Sequence, residues 1–422
     1  MSAPTSARTS APRNATARRS AALVAAAVLV TSCSGRDDDA SAPAAGPSAP
    51  SAPHGYVEGA QERAEQQSRL LLNDPATGDT RVLDLITGKT HEVSRTPGAA
   101  ELTTDGRFGY LHTADGTRVL DGGAWMVDHG DHVHYYRAAI REAGTFPAGT
   151  GARVRSDAGV TAVTDEDGRT RLYPRTGLEK GRVGSPRTLP GTHAAAVVPY
   201  AEHLLALTGD GEGTAELAVY DREGRRVASP DARCEDPRGD AVTRRGVVLG
   251  CADGALLVRE DDGEFTAERI PYGGDVPERE RAGDFRHRAG SDTLTAPAGE
   301  RAVWVLDVTE RTWTRVRTGP VVAANTAGEG SPLLVLQTDG ALHGYDIATG
   351  RHTSRTKPLL TDTTATGTDA TGGPVVEVDR SRAYLNDPGG HRVYEIDYND
   401  GLRIARTFDL DIEPALMAET GR

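Results

Sequence analysis

From about residue 68 to its end the chain repeats one phrase: a turn bearing Gly or Asp, an alternating strand, usually an aspartate, and a second turn. The copies read NDPATGDTRVLDLITGK (73–89), TADGTRVLDGG (113–123), DEDGRTRLYPRTG (165–177) and GDGEGTAELAVYDREG (209–224). They continue as CADGALLVREDDG (251–263), PAGERAVWVLDVTER (297–311), TDGALHGYDIATG (338–350) and NDPGGHRVYEIDYNDG (387–401). Period-2 strands separated by turns, recurring about every 45 residues, predict an all-β β-propeller. A pair of large β-sandwiches would show no constant period. The 49 glycines and 24 prolines suit turn-dense antiparallel sheet. Eight copies predict eight blades, with seven as the alternative. Copies are preceded by inner-strand candidates such as THAAAVVP (192–199), GDAVTRR (239–245) and PVVEVDR (374–380), but the first copy lacks one. The C-terminal EPALMAETGR (413–422) looks like PVVEVDR with no hairpin after it. It is therefore expected to close the ring as the inner strand of the first blade, removing two exposed sheet edges.

The N-terminus lies outside this pattern. Residues 1–32 carry Arg8, Arg13, Arg18, Arg19 and no acid, then the apolar run AALVAAAVLV. A basic stretch before a short apolar one predicts an export signal, since ten apolar residues are too few for a permanent span. Val30-Thr31-Ser32-Cys33 resembles a bacterial lipobox, which implies cleavage before Cys33 and a lipid on its sulfur. A plain secretory signal with an incidental Cys33 is the alternative. The Ser/Ala/Pro-rich stretch that follows predicts a flexible tether over 33–67, leaving 68–422 as the propeller domain. Such a chain is placed at the outer face of the cell membrane, held through its lipid anchor only.

Loss of the four arginines takes the formal charge from −13 to about −17. That excludes a nucleic-acid partner, whose phosphates need Lys and Arg. With Cys33 lipidated, Cys234 and Cys251 remain as a pair in an oxidising compartment, and a disulfide between them is expected.

VDHGDHVHYY (127–136) concentrates metal-ligand chemistry as no other stretch of the chain does. On a strand His132 and His134 share a face, and Gly130 permits a bend that brings His129 round. Neutral imidazoles at this spacing suit one zinc, with Asp128 and Asp131 as ligands or as groups that orient the imidazoles. The stretch is expected to be an extended outer strand or an insertion after the second repeat. A solvated polar surface is the competing reading. His193, which opens an inner strand, or Asp131 is expected to complete a four-coordinate set with the three imidazoles if the loop folds over the channel mouth, and Asp240 and His287 are candidates for additional channel-mouth residues. His112, His343 and His391 are expected to be hydrogen-bonded structural residues.

VDHGDHVHYY, the segment GCADGALLV preceded by Cys234, and the ending VYEIDYNDGLRIARTFDL…ETGR together resemble the AztD family over roughly residues 68–422. These are exported β-propeller zinc metallochaperones that hand zinc to the solute-binding protein of an ABC importer. The resemblance implies zinc as cargo, that solute-binding protein as partner and no catalytic residues. It carries Asp128, His129, Asp131 and His132 over as motif residues, and His193 as the histidine opening the fourth blade. The sequence departs from the family where histidines open the third and fifth blades. Arg153 and Arg238 stand there, and Arg238-Gly239-Asp240 replaces His-Gly-Glu. The family's His-rich N-terminal arm is reduced to His54. Arginine ligates no zinc, so residues 128–134 are the expected centre.

Two other classes remain open. A metal-free propeller would act as a protein-interaction scaffold. A propeller enzyme, quinone-dependent or hydrolytic, would need more than Trp125, Trp304 and Trp313 to stack a quinone, or a distinctive Ser/His/Asp order. The protein is expected to be a monomeric, non-enzymatic zinc-binding chaperone.

Overall fold

The second strand of each repeat is buried on consecutive residues rather than alternate ones. Leu70, Leu71 and Leu72 of Arg69–Asn73 are all fully buried. Phe108–Thr113, Val160–Thr164, Gly246–Cys251 and Leu333–Gln337 follow the same rule. A strand buried on both faces needs cover on each, and neighbouring sheets provide it.

The computed structural model describes residues 55–129, 132–209, 213–362 and 372–422. The expected signal peptide, Cys33, His54, most of the expected tether, Gly130 and Asp131 lie outside the described residues. Within them the chain is all-β, with eight antiparallel sheets in the repeated region and one smaller sheet inserted. In chain order, the first sheet combines the C-terminal Leu416–Thr420 with Arg69–Asn73, Thr80–Asp84 and Thr90–Val93. The second runs Glu101–Thr104, Phe108–Thr113, Gly116–Asp121 and Arg141–Phe146. The third holds Arg153–Ser156, Val160–Thr164, Thr170–Pro174 and Arg187–Leu189. The fourth holds Val198–Tyr200, His203–Thr208 and Thr214–Tyr220, with an outer edge split into Arg226–Ala228 and Arg233–Glu235. The fifth is Asp240–Thr243, Gly246–Cys251, Gly254–Asp261 and Glu264–Pro271. The sixth has three strands, Thr293–Pro297, Ala302–Asp307 and Thr312–Arg317, its first strand reduced to the bridge Arg286↔Thr295. The seventh is Val321–Thr326, Leu333–Gln337, Leu342–Tyr345 and His352–Arg355. The eighth is Val376–Val378, Ala383–Asp387, Arg392–Asp397 and Arg403–Asp409.

Between consecutive sheets lies an apolar cluster. Phe108 and Val119 of the second meet Val154 and Val163 of the third, and Leu205 and Leu217 of the fourth meet Val247 and Leu256 of the fifth. The eighth meets the first in the same way, with Tyr384 and Val393 against Leu70 and Leu83. The C-terminal strand pairs antiparallel with Arg69–Asn73 in the register Leu71↔Ala418. Outer strands such as Thr90–Val93 and His352–Arg355 face solvent. Cys234 of the fourth sheet and Cys251 of the fifth form the expected disulfide, with Cα atoms 5.2 Å apart.

First strands of different sheets meet through their side chains. Arg155 of the third makes a bidentate pair with Asp240 of the fifth, at 2.5 and 2.9 Å. Arg286 lies 4.0 Å from Glu377 of the eighth, which also faces Arg422 at 3.5 Å. Paired charges thus join the inner edges of these sheets.

Candidate metal centre

The chain does not pass directly from the third strand of the second sheet to its fourth. Between Asp121 and Arg141 it leaves as a hairpin, Ala124–Asp128 paired with Val133–Arg137. Gly123 makes the exit at φ +65°, where a Cβ would meet the Ala138 carbonyl oxygen at 2.7 Å. The base of the hairpin is anchored by Trp125 stacked on the buried Tyr136, with ring centroids 5.4 Å apart. The Arg107 guanidinium lies 3.7 Å above the Trp125 ring, and Arg137 pairs with the buried Asp84 at 2.8 Å. Arg69 donates to the Gly122 carbonyl. The rest of the insertion thus projects from a fixed stem.

Residues opposite each other in the ladder share a face, so Trp125 and Tyr136 are followed by Val127 and His134 and then by the turn. The His129 N–H donates to the His132 carbonyl at 2.9 Å and closes that turn. The three imidazoles gather at the tip, with one ligand atom from each of His129, His132 and His134 within 4.8 Å of the others. Ring centroids are separated by 4.9 to 5.3 Å. His129 and His132 are exposed and His134 is half-buried. Among the described residues this is the one such cluster of potential metal ligands.

Two further described residues border the cluster, and sequence reasoning missed both. Gln61–Arg63, inside the stretch expected to be tether, adds a third strand to the hairpin, with Glu62 opposite Tyr136. There Glu62 Oε1 accepts from His134 Nδ1 at 2.6 Å. Arg244, in the turn after Asp240–Thr243, pairs with Asp128 at 3.1 Å. The hairpin of the second sheet thus reaches the fifth. Nothing local in the sequence marks either contact, since they join positions 72 and 116 residues apart.

The candidates at inner-strand openings lie elsewhere. In a four-strand meander the first-to-second and third-to-fourth turns share one end, while the remaining connections share the other. The imidazole cluster and Arg244 occupy the first end. His193 lies in the connection between the third and fourth sheets, at the second end, so the structure does not bring it to the cluster. It is buried, its N–H donates to the Gly168 carbonyl at 2.9 Å, and its Nδ1 bonds Thr170 Oγ1 at 2.9 Å. Burial lowers its pKa. Arg238 is paired with Asp236 and, at 3.0 Å, with Glu278. Asp240 is engaged by Arg155, so its carboxylate is already neutralised. His287 is half-buried, and burial, followed by the charge of Arg422, pushes its pKa down to about 4. Asp128 belongs to the cluster's strand and Asp131 lies outside the described residues.

Fold and site together define a class: an all-β propeller-type body carrying a three-histidine hairpin on one end. The fold is AztD-like. It is similar to apo AztD from Citrobacter koseri, with a TM-score of 0.68 and 16% identity over 84% of this chain and 98% of that one. A second C. koseri AztD structure gives 0.66 and 18% over the same shares. The dihydro-heme d1 dehydrogenase NirN in complex with DHE gives 0.52 and 14%, over 85% of this chain and 76% of that one. No family model and no curated protein matches the sequence. At these identities the likeness concerns the fold.

Proposed function

We propose that the protein is an extracytoplasmic zinc-binding metallochaperone that delivers zinc to the solute-binding protein of an ABC importer. In this reading it is exported and anchored at the outer face of the membrane through a lipid on Cys33. Its body is an eight-bladed ring closed by the C-terminal strand, in support of which the apolar cluster between the eighth and first sheets stands alongside the Leu71↔Ala418 pairing. The observation that carries the function is the convergence of His129, His132 and His134 on an AztD-like fold.

The donor set fits zinc. Tetrahedral zinc with bonds of about 2.0–2.1 Å spaces its donors about 3.4 Å apart. Imidazoles within 4.8 Å reach that spacing by side-chain rotation. Three nitrogen donors leave a fourth position, the arrangement of sites that exchange a ligand rather than lock the metal. Asp128 or Asp131 would fill it in the resting protein, and a donor from the receiving protein during hand-over. Exposure of His129 and His132 suits cargo that must leave.

Equilibrium dialysis of the mature protein against zinc, followed by metal analysis, tests the reading. The wild type is expected to retain zinc, and the H129A/H132A double variant to lose at least one equivalent with its fold intact, because the hairpin lies outside the repeated sheets. Full zinc retention by the double variant returns the cluster to a solvated surface.

A further inference from the structure

We infer that Glu62 is a positioning residue for the imidazole cluster, and that it couples zinc binding to the seating of the N-terminal strand Gln61–Arg63. The inference rests on the zinc reading above and extends it to a residue outside the histidine motif. A carboxylate only accepts hydrogen bonds, so the 2.6 Å contact places the His134 proton on Nδ1. The Nε2 lone pair is then the one left for a metal, and the ring is held against rotation. A carboxylate behind a ligating histidine is a recurrent way of fixing tautomer and orientation, and its loss weakens metal binding about 10- to 100-fold.

The strand that delivers this carboxylate is marginal. It has three residues, all exposed, and its one ladder among the described residues is with Val133–Arg137. Short strands with little apolar burial open readily, so their seating responds to small added energies. The neighbouring segment is more closely fitted. Gly55, at φ +78°, passes so near Val127 that a Cβ would lie 2.4 Å from its Cγ2, and Trp125 Nε1 donates to the Gly55 carbonyl at 3.2 Å. The segment is therefore closely fitted at Gly55 and held at Gln61–Arg63 by one short ladder and the Glu62 contact, beside the ligands. Coupling is reciprocal: whatever factor strand seating adds to zinc affinity, zinc adds to strand seating. Lifting Gln61–Arg63 from its edge removes Glu62 and weakens the site, which makes this strand a release lever for the cargo.

The test uses the mature protein, zinc as probe, a competing chromophoric chelator for affinity, and amide hydrogen exchange for the strand. E62A is expected to raise the zinc Kd about 10- to 100-fold, and E62Q, which keeps an acceptor but no charge, by less. Zinc is expected to slow exchange at residues 61–63 in the wild type and to have no such effect in E62A. The melting temperature of both variants should match the wild type, because Glu62 is exposed and outside the eight sheets. Wild-type affinity in E62A, or exchange at 61–63 that ignores zinc, overturns the coupling while leaving the three-histidine site in place. Undiminished binding by H129A/H132A overturns the site itself, and the coupling with it.

Discussion

His112 sits in the second sheet with Nε2 3.0 Å from Thr103 Oγ1 and Nδ1 3.1 Å from Thr117 Oγ1, and is almost fully buried. Burial, reinforced by the nearby charge of Arg155, pushes its pKa down to about 4. His287 is depressed to about the same value. The folded protein therefore holds both rings neutral where the unfolded chain would protonate them. The unfolded state binds more protons, so this stability is present above the ordinary histidine value and is lost as pH falls from about 6.5 to about 4. For His112 the shift corresponds to about 3 kcal/mol. Thermal melts from pH 7 to pH 4 should show the decline, and H112Q should make it shallower by the share of His112, leaving that of His287, at the cost of about 1 kcal/mol at pH 7. An unchanged pH profile in H112Q counts against the buried neutral ring. The expectation that His112 is a hydrogen-bonded structural residue was readable from its place in a repeat strand. That His193 would lie far from the hairpin was not, because the end of the sheet a residue occupies depends on which turn carries it.

At the scale of elements, the disulfide ties the split outer edge of the fourth sheet to the second strand of the fifth. It closes a separation of 17 residues, for which loop-closure entropy gives about 3 kcal/mol. Replacing both cysteines with serine should lower stability by about that amount, measured by denaturant unfolding. A change of m-value rather than midpoint would place the effect in the unfolded state's compactness. Much of this level was legible in the sequence. Repeat turns marked the hairpins, cysteine counting gave the pair, and the histidine stretch read as an extended outer strand or an insertion, of which the structure has the insertion. Two things were hidden. Strands such as Arg69–Asn73 are buried on both faces, so their leucines run consecutively and the expected alternation is blurred. Gln61–Arg63 reads as polar tether because it pairs with a strand far along the chain and buries almost nothing. Glu62 and Arg244, the residues that frame the imidazoles, were invisible for the same reason: their partners are distant and their own neighbourhoods are ordinary.

For the whole molecule, the decisive element is the strand that ends the chain. Leu416–Thr420 completes a sheet whose other strands come from residues 69–93, and Leu416, Met417 and Ala418 are buried there. Full burial of a large apolar side chain contributes about 1.5–3 kcal/mol. Leu416 and Met417 alone therefore account for a large share of a typical stability of about 5–15 kcal/mol. Removing the strand also exposes an unpaired edge along Leu70, Leu71 and Leu72, which invites association with other chains. Deletion of residues 412–422 should accordingly abolish a cooperative melt or lower Tm by more than about 10 °C, with aggregation at the freed edge. Adding a synthetic peptide of residues 412–422 should restore the transition, because the missing piece is a strand and not a covalent constraint. A truncated protein that melts like the wild type would mean that the first sheet is stable without its terminal partner, and the proposed closure of the ring would fail. Rescue by the peptide with the native disulfide intact would show that the two ends of the repeated region are held together by strand pairing and apolar packing between the eighth and first sheets.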